Sequence, residues 1–134
     1  MKIVIVSVAM LVLLGCHRQK RAASLEQVRN LIAGHYEGQY NKGVEHLVIK
    51  TNGTFSQEFI CAGVTNYHLE GKWNLEQTED RYLVTFIPFM DLEEALRKSK
   101  NPERVAARIA TFYEGEPRIY FIRDLAYFVI KKSN

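Results

Sequence analysis

The chain has 134 residues, 47% of them hydrophobic and 25% charged, with a formal net charge of +3. That is enough chain for one domain with a real core and too little for two. The charge is far short of a nucleic-acid footprint, so no nucleic-acid partner is expected.

Met1-Lys2 sets one positive charge ahead of an apolar run, Ile3 to Leu14, broken only by Ser7. This is the grammar of a secretory signal. The run is too short for a membrane-spanning helix, which needs roughly 20 apolar residues. It ends in Leu13-Leu14-Gly15-Cys16. That stretch resembles the lipobox of bacterial lipoproteins, with a small residue before the cysteine and leucine three positions ahead of it.

The resemblance implies that residues 1–15 are a signal peptide, cut away once the Cys16 thiol carries diacylglycerol, and that the new amino group is acylated, as with palmitate. Two or three acyl chains hold a protein on a membrane far better than one, since each buried CH₂ adds about 0.8 kcal/mol. His17 follows the cysteine, not the aspartate that retains many lipoproteins in the inner membrane. The family rule therefore points to the bacterial envelope, at the periplasmic face of the outer membrane for a Gram-negative source. Residues 16–23 form the lipidated cysteine and a tether containing Arg18, Lys20 and Arg21. These cations either meet anionic headgroups, at about 1 kcal/mol each, or simply solvate the spacer. A tether this short reaches at most roughly 25 to 30 Å, which keeps residues 24–134, a single β-rich domain, near the membrane.

Loss of Lys2 with the leader lowers the formal charge by one. Lipidation of Cys16 leaves Cys61 alone and rules out an intrachain disulfide. Cys61 ends the alternating run from Phe55, in phase with Phe55 and Phe59, and is expected to be a buried thiol acting as a small hydrophobe.

Ser24-Leu25-Glu26-Gln27 has the form of a capping box. Leu25, Val28, Leu31 and Ile32 recur at helical spacing until Gly34, which predicts an amphipathic helix over 25–33 whose stripe covers one open end of a sheet. From Gly34 the period becomes two. Strands are expected over 35–40, 44–51, 55–61, 67–76 and 82–89, with Asn52-Gly53 as a two-residue hairpin turn. The fourth shows the clearest alternation, with Tyr67, Leu69, Gly71, Trp73 and Leu75 on one face. Asp91-Leu92-Glu93-Glu94 repeats the capping-box form and Asn101-Pro102 resembles an N-cap with proline at the first helical position. Two short helices are therefore predicted, over 92–98 and 102–110. Strands resume over 110–113, 118–123 and 126–131.

The fold expected is mainly β: a small antiparallel barrel or curved meander of seven or eight strands, with a short N-terminal helix and a helical insert near 91–110. Gly34-His35-Tyr36, Asn52-Gly53-Thr54-Phe55 and Gly71-Lys72-Trp73 resemble the G-x-Y, dG-t-F and G-x-W spacing of lipocalin-like small β-barrel lipoproteins. The resemblance implies strands enclosing an apolar interior.

Phe55, Phe59, Tyr67, Trp73, Tyr82, Phe86 and Phe89 are the candidates to line such an interior, either as a pocket for an apolar ligand or as an ordinary packed core, since a barrel this small is usually filled by its own side chains. His46 and His68, with Glu70 beside the latter, fall on polar strand faces without metal-ligand spacing, so no metal or cofactor is expected. No serine sits in a Gly-x-Ser-x-Gly turn and no nucleophile, base and stabiliser are found together, so an enzyme is not expected. Arg97, Lys98, Lys100, Arg104 and Arg108 form the most distinctive charge run, either a solvated face or a docking face for an acidic partner or the headgroup layer. The function expected is a lipid-anchored, non-enzymatic envelope module that binds an apolar ligand or a protein partner. The alternative is an immunity or inhibitor lipoprotein against a periplasmic toxin or cell-wall hydrolase.

Overall fold

The computed structural model describes residues 24–61, 65–92, 102–122 and 127–133. Leu13 to Cys16, the tether to Ala23, and the cations Arg97, Lys98 and Lys100 lie outside these residues, as does nearly all of the helix expected over 92–98.

The chain opens with α1 (Leu25–Ile32), held by the expected capping box: the Ser24 hydroxyl accepts from the Gln27 N–H at 3.2 Å, and the Gln27 side chain accepts from the Ser24 N–H at 2.9 Å. Its stripe is narrower than the spacing suggests. Val28 and Ile32 are buried, whereas Leu25 and Leu31 are about half exposed, because two turns of helix can press only one edge onto a barrel end.

Among the described residues ten strands follow: β1 (Gly34–Tyr40), β2 (Gly43–Ile49), β3 (Thr54–Cys61), β4 (Thr65–Gln77), β5 (Tyr82–Ile87), β6 (Phe89–Asp91), β7 (Glu103–Val105), β8 (Arg108–Phe112), β9 (Arg118–Ile122) and β10 (Tyr127–Lys131). Eight of them close an antiparallel barrel in the order β1-β10-β9-β8-β5-β4-β3-β2, and β6 pairs only with β7. Closure leaves none of the eight with a free edge. The alternation of the sequence becomes the barrel's inside and outside. On β4, Trp73 is buried and Leu69 and Leu75 are half-buried, while His68, Glu70, Lys72, Asn74 and Glu76 face water.

The hairpin between β2 and β3 is one residue longer than Asn52-Gly53 alone predicts. Ile49 pairs with Phe55, the Lys50 N–H donates to the Thr54 carbonyl, and the Gly53 N–H donates to the Lys50 carbonyl. The loop is thus 51–53, with Gly53 at φ 85°, the left-handed position that follows the turn in a three-residue hairpin. Asn52 Oδ1 fastens it by accepting from the Thr54 N–H and hydroxyl, at 3.1 and 2.7 Å.

The larger correction is the insert. The helix expected over 102–110 is absent; Glu103–Val105 pairs with Phe89–Asp91, and Arg108 to Phe112 is a barrel strand on β5. Local capping signals lose here to closure, because β8 pairs with the second edge of β5 and so satisfies that edge's main chain.

The barrel has two differently closed ends. The Trp73 N–H donates to the Gly53 carbonyl and its indole Nε1 donates to the Lys50 carbonyl at 2.8 Å, so Trp73 and the β2–β3 loop share one end. Arg29 of α1 stacks over the Trp73 ring, 4.6 Å from its centroid, which places the helix there too. β2 and β3 run such that Glu45 and Cys61 lie toward the opposite end. There β5 stops at Ile87, Pro88 follows through a cis peptide bond, and β6 buries Phe89 and Met90 while Leu92 is buried just beyond it.

Candidate functional site

The interior expected to be apolar contains two buried polar side chains, Glu45 on β2 and Gln57 on β3. Strand alternation puts them there: Glu45 is in phase with Leu47 and Ile49, and Gln57 with Phe55 and Phe59, all of them buried. Gln57 holds β6. Its Oε1 accepts from the Met90 N–H at 2.8 Å and its Nε2 donates to the Met90 carbonyl at 3.0 Å, so the amide takes the place of a neighbouring strand. The same Nε2 donates its second proton to Glu45 Oε1 at 2.8 Å. On the far side of Glu45, the Tyr40 hydroxyl lies 3.1 Å from Glu45 Oε2 and 3.1 Å from the Phe128 carbonyl. One chain of polar contacts therefore runs from β10 through β1, β2 and β3 to β6.

Tyr40 reaches this position because Gly38 makes room. A Cβ at Gly38 would stand 2.4 Å from the Tyr40 hydroxyl and 2.7 Å from its ring, closer than real side chains approach.

Burial dominates the electrostatics. It pushes the Glu45 carboxyl up to about 7 from 4.5, against the smaller lowering effect of the hydrogen bonds from Gln57 and Tyr40. Burial, and then the neighbouring Glu45, push the Tyr40 hydroxyl above its ordinary value. Removing a carboxylate from water without a counter-charge favours its neutral form.

The aromatic side chains singled out by the sequence are placed together as a packed interior. Phe55, Phe59, Trp73, Tyr82 and Phe86 are buried, and Tyr67 is half-buried against them. Phe89 of β6 sits among them: its ring centroid lies 5.3 Å from Phe86, 6.2 Å from Phe55 and 4.9 Å from Phe121, while Phe55 meets Phe86 edge-on at 4.9 Å. The chain's own strand fills the space between the aromatic rings. An open groove of about 420 Å³ lies elsewhere, at the helix end, lined by Ala33, Gly34, Pro117, Lys131, Lys132 and Ser133.

Of the basic run, Arg104 is exposed on β7 and Arg108 stands on β8. The two do not share a helix face. Arg108 Nη1 meets Asp91 Oδ2 at 3.2 Å with its side chain only 19% exposed, so it ties β6 to the barrel. His46 lies 3.9 Å from Glu37, and His68 lies 3.7 Å from Glu70 on the outer surface. Among the described residues, no group of three or more His, Cys, Asp or Glu side chains is arranged to hold a metal ion. Cys61 is a free, half-buried thiol packed against the core.

Glu45 and Gln57 were the residues that the motif search passed over. Their signal is a polar side chain on the apolar phase of a strand. No family model, curated protein or solved structure matches this chain.

Proposed function

We propose that the protein is a lipid-anchored, non-enzymatic module of the bacterial envelope, held at the membrane through Cys16, that acts through its outer surface on a protein partner such as a periplasmic toxin or cell-wall hydrolase. The observation that carries this reading is the filled interior: Phe89 occupies the space between Phe55, Phe86 and Phe121 that an apolar ligand would need. Of the two sequence expectations, binding an apolar ligand and blocking a protein, a barrel packed with its own rings favours the second. Arg104 remains a candidate contact, with Arg97, Lys98 and Lys100 from the same run.

Native mass spectrometry of the detergent-solubilised chain tests the reading. The expected result is protein free of lipid in its interior that forms a stoichiometric complex with a purified cell-wall hydrolase or toxin. Recovery of one tightly bound apolar molecule per chain would overturn it in favour of a carrier. The anchor has its own test, because Cys16→Ser should leave unprocessed precursor that washes from membranes; unchanged processing and attachment would refute it.

A further inference from the structure

Among the described residues, the hydrogen bonds that join Glu45, Tyr40 and Gln57 to the Phe128 and Met90 carbonyls can all be made together in one protonation state only. Gln57 Nε2 has two protons and spends them on Glu45 Oε1 and the Met90 carbonyl. Tyr40 has one proton but lies at hydrogen-bond distance from two oxygens, Glu45 Oε2 and the Phe128 carbonyl. If Oε2 carries a proton, Glu45 donates to the Tyr40 oxygen and Tyr40 donates on to Phe128, so the chain of donors closes. If Glu45 is ionised, Tyr40 must turn its proton to the carboxylate, and the Phe128 carbonyl loses it. The charge also draws Gln57 Nε2 toward itself and away from Met90, since hydrogen bonds to an ionised acceptor are the stronger ones.

We propose that Glu45 is a proton-operated latch: with its proton in place Gln57 holds Phe89–Asp91 across the end of the barrel, and loss of that proton frees this strand to lift. The device lies in how β6 is held. Its main-chain partner is β7 rather than a barrel strand, and among the described residues it is fastened to the barrel by the Gln57 amide, the Asp91–Arg108 pair and the buried Phe89 and Met90. An ionised carboxylate in a closed interior gains most from admitting water, and β6 is the cover joined to that carboxylate through a single side chain.

Among the described residues, the groups around Glu45 offer it no counter-charge. β1 presents Tyr40, β3 presents Gln57 and the half-buried Cys61, β4 presents Tyr67 in the row of Phe59, β10 presents the Phe128 carbonyl, and β6 presents Met90 through Gln57. None of these is a cation in any protonation state. Asp91, the titratable group of β6, is turned to Arg108. His46 and Glu37 meet each other on the barrel's outer face.

Hydrogen exchange of the full chain in detergent, read by mass spectrometry from pH 5 to 8 and corrected for intrinsic exchange rates, tests the latch. Opening coupled to release of one proton rises about tenfold per pH unit between the open and closed values and then levels off. Protection over Phe89–Asp91 should fall in that way up to about pH 7, while α1 and the β2–β3 hairpin keep theirs. Glu45→Gln keeps the neutral hydrogen-bond pattern, with its amide donating to Tyr40, and should abolish the slope; Asp91→Asn should leave it in place. Protection of β6 that is independent of pH in the wild type would overturn the proposal. So would a loss shared equally by every strand, or a slope that survives in Glu45→Gln.

Discussion

At one end of the barrel, Val28 and Ile32 of α1 press onto the core, Arg29 lies over Trp73, and the Trp73 indole donates to the Lys50 carbonyl. The carbonyls at the helix C-terminus are also taken: the Tyr36 hydroxyl donates to the Ile32 carbonyl at 2.6 Å, and Lys131 Nζ donates to the Leu31 carbonyl at 2.5 Å, where a cation suits the helix dipole. At the other end, a three-residue strand is tied to the barrel by an ion pair, by buried side chains and by one amide, which shares its protons with a buried acid. The first closure involves apolar area, a guanidinium stacked on an indole, and main-chain carbonyls with donors of their own. The second depends on a proton. The two covers can therefore respond differently to pH, because the strand is fastened through an amide that touches a buried carboxyl.

The largest effect separating the two ends should come from Trp73→Ala. It removes a buried ring and one of the two hydrogen bonds accepted by the Lys50 carbonyl, and should cost about 4 kcal/mol, with a loss in denaturant melts that is the same at pH 5 and pH 8. A loss that changed strongly with pH would erase the distinction.

Next in size is the pH dependence of global stability. The folded value of Glu45, about 7, lies above its value of 4.5 in the unfolded chain. The folded state therefore binds more protons between these values, and stability falls as pH rises through that window. Its contribution is fully present below pH 4.5 and gone above about pH 7, a change on the order of 3 kcal/mol at 1.36 kcal/mol per pH unit. Half-buried Glu37, on the barrel's outer face, is shifted the other way, held below its ordinary value by Gln39 first, then by Lys132 and His46. The measurement is therefore the difference between wild type and Glu45→Gln, in which groups other than Glu45 cancel. A difference that stays constant from pH 4.5 to 8 would contradict the buried neutral acid.

Gln57→Ala should cost about 2 kcal/mol by leaving Glu45 and both Met90 main-chain groups without their partner. Exchange at Met90 should accelerate more than exchange at α1; equal acceleration would mean that the amide holds the core as a whole. The smallest effect is expected from Ser24→Ala, which removes the capping hydroxyl for about 1 kcal/mol. It should loosen the helix end and leave β6 protection untouched.

Most of the barrel was legible before the fold was known. Alternation on β4 and the Asn52-Gly53 turn mark strands and their connection through local chemistry, and the phase of Phe55 and Phe59 already assigns them to one face. The second half of the insert, over 102–110, was misread because Asn101-Pro102 carries a genuine helix-start signal that local spacing cannot weigh against the unpaired edge of β5. Arg108 was read as surface charge for the same reason: nothing near it in the chain reveals Asp91, its partner across the barrel. Glu45 and Gln57 stood on apolar strand phases, yet a single polar residue in such a phase looks locally like an interruption of the pattern.

By itself the sequence determined the periodicity, the turns, the capping box and the set of side chains that share each strand face, because these depend on neighbours a few residues apart. Tertiary structure alone decided that the sheet closes, that Phe89 fills its interior, and that Tyr40, Glu45, Gln57 and Met90 meet. Those contacts join positions up to 88 residues apart. Their strength depends on exclusion of water, a property that no segment has until the whole barrel has formed.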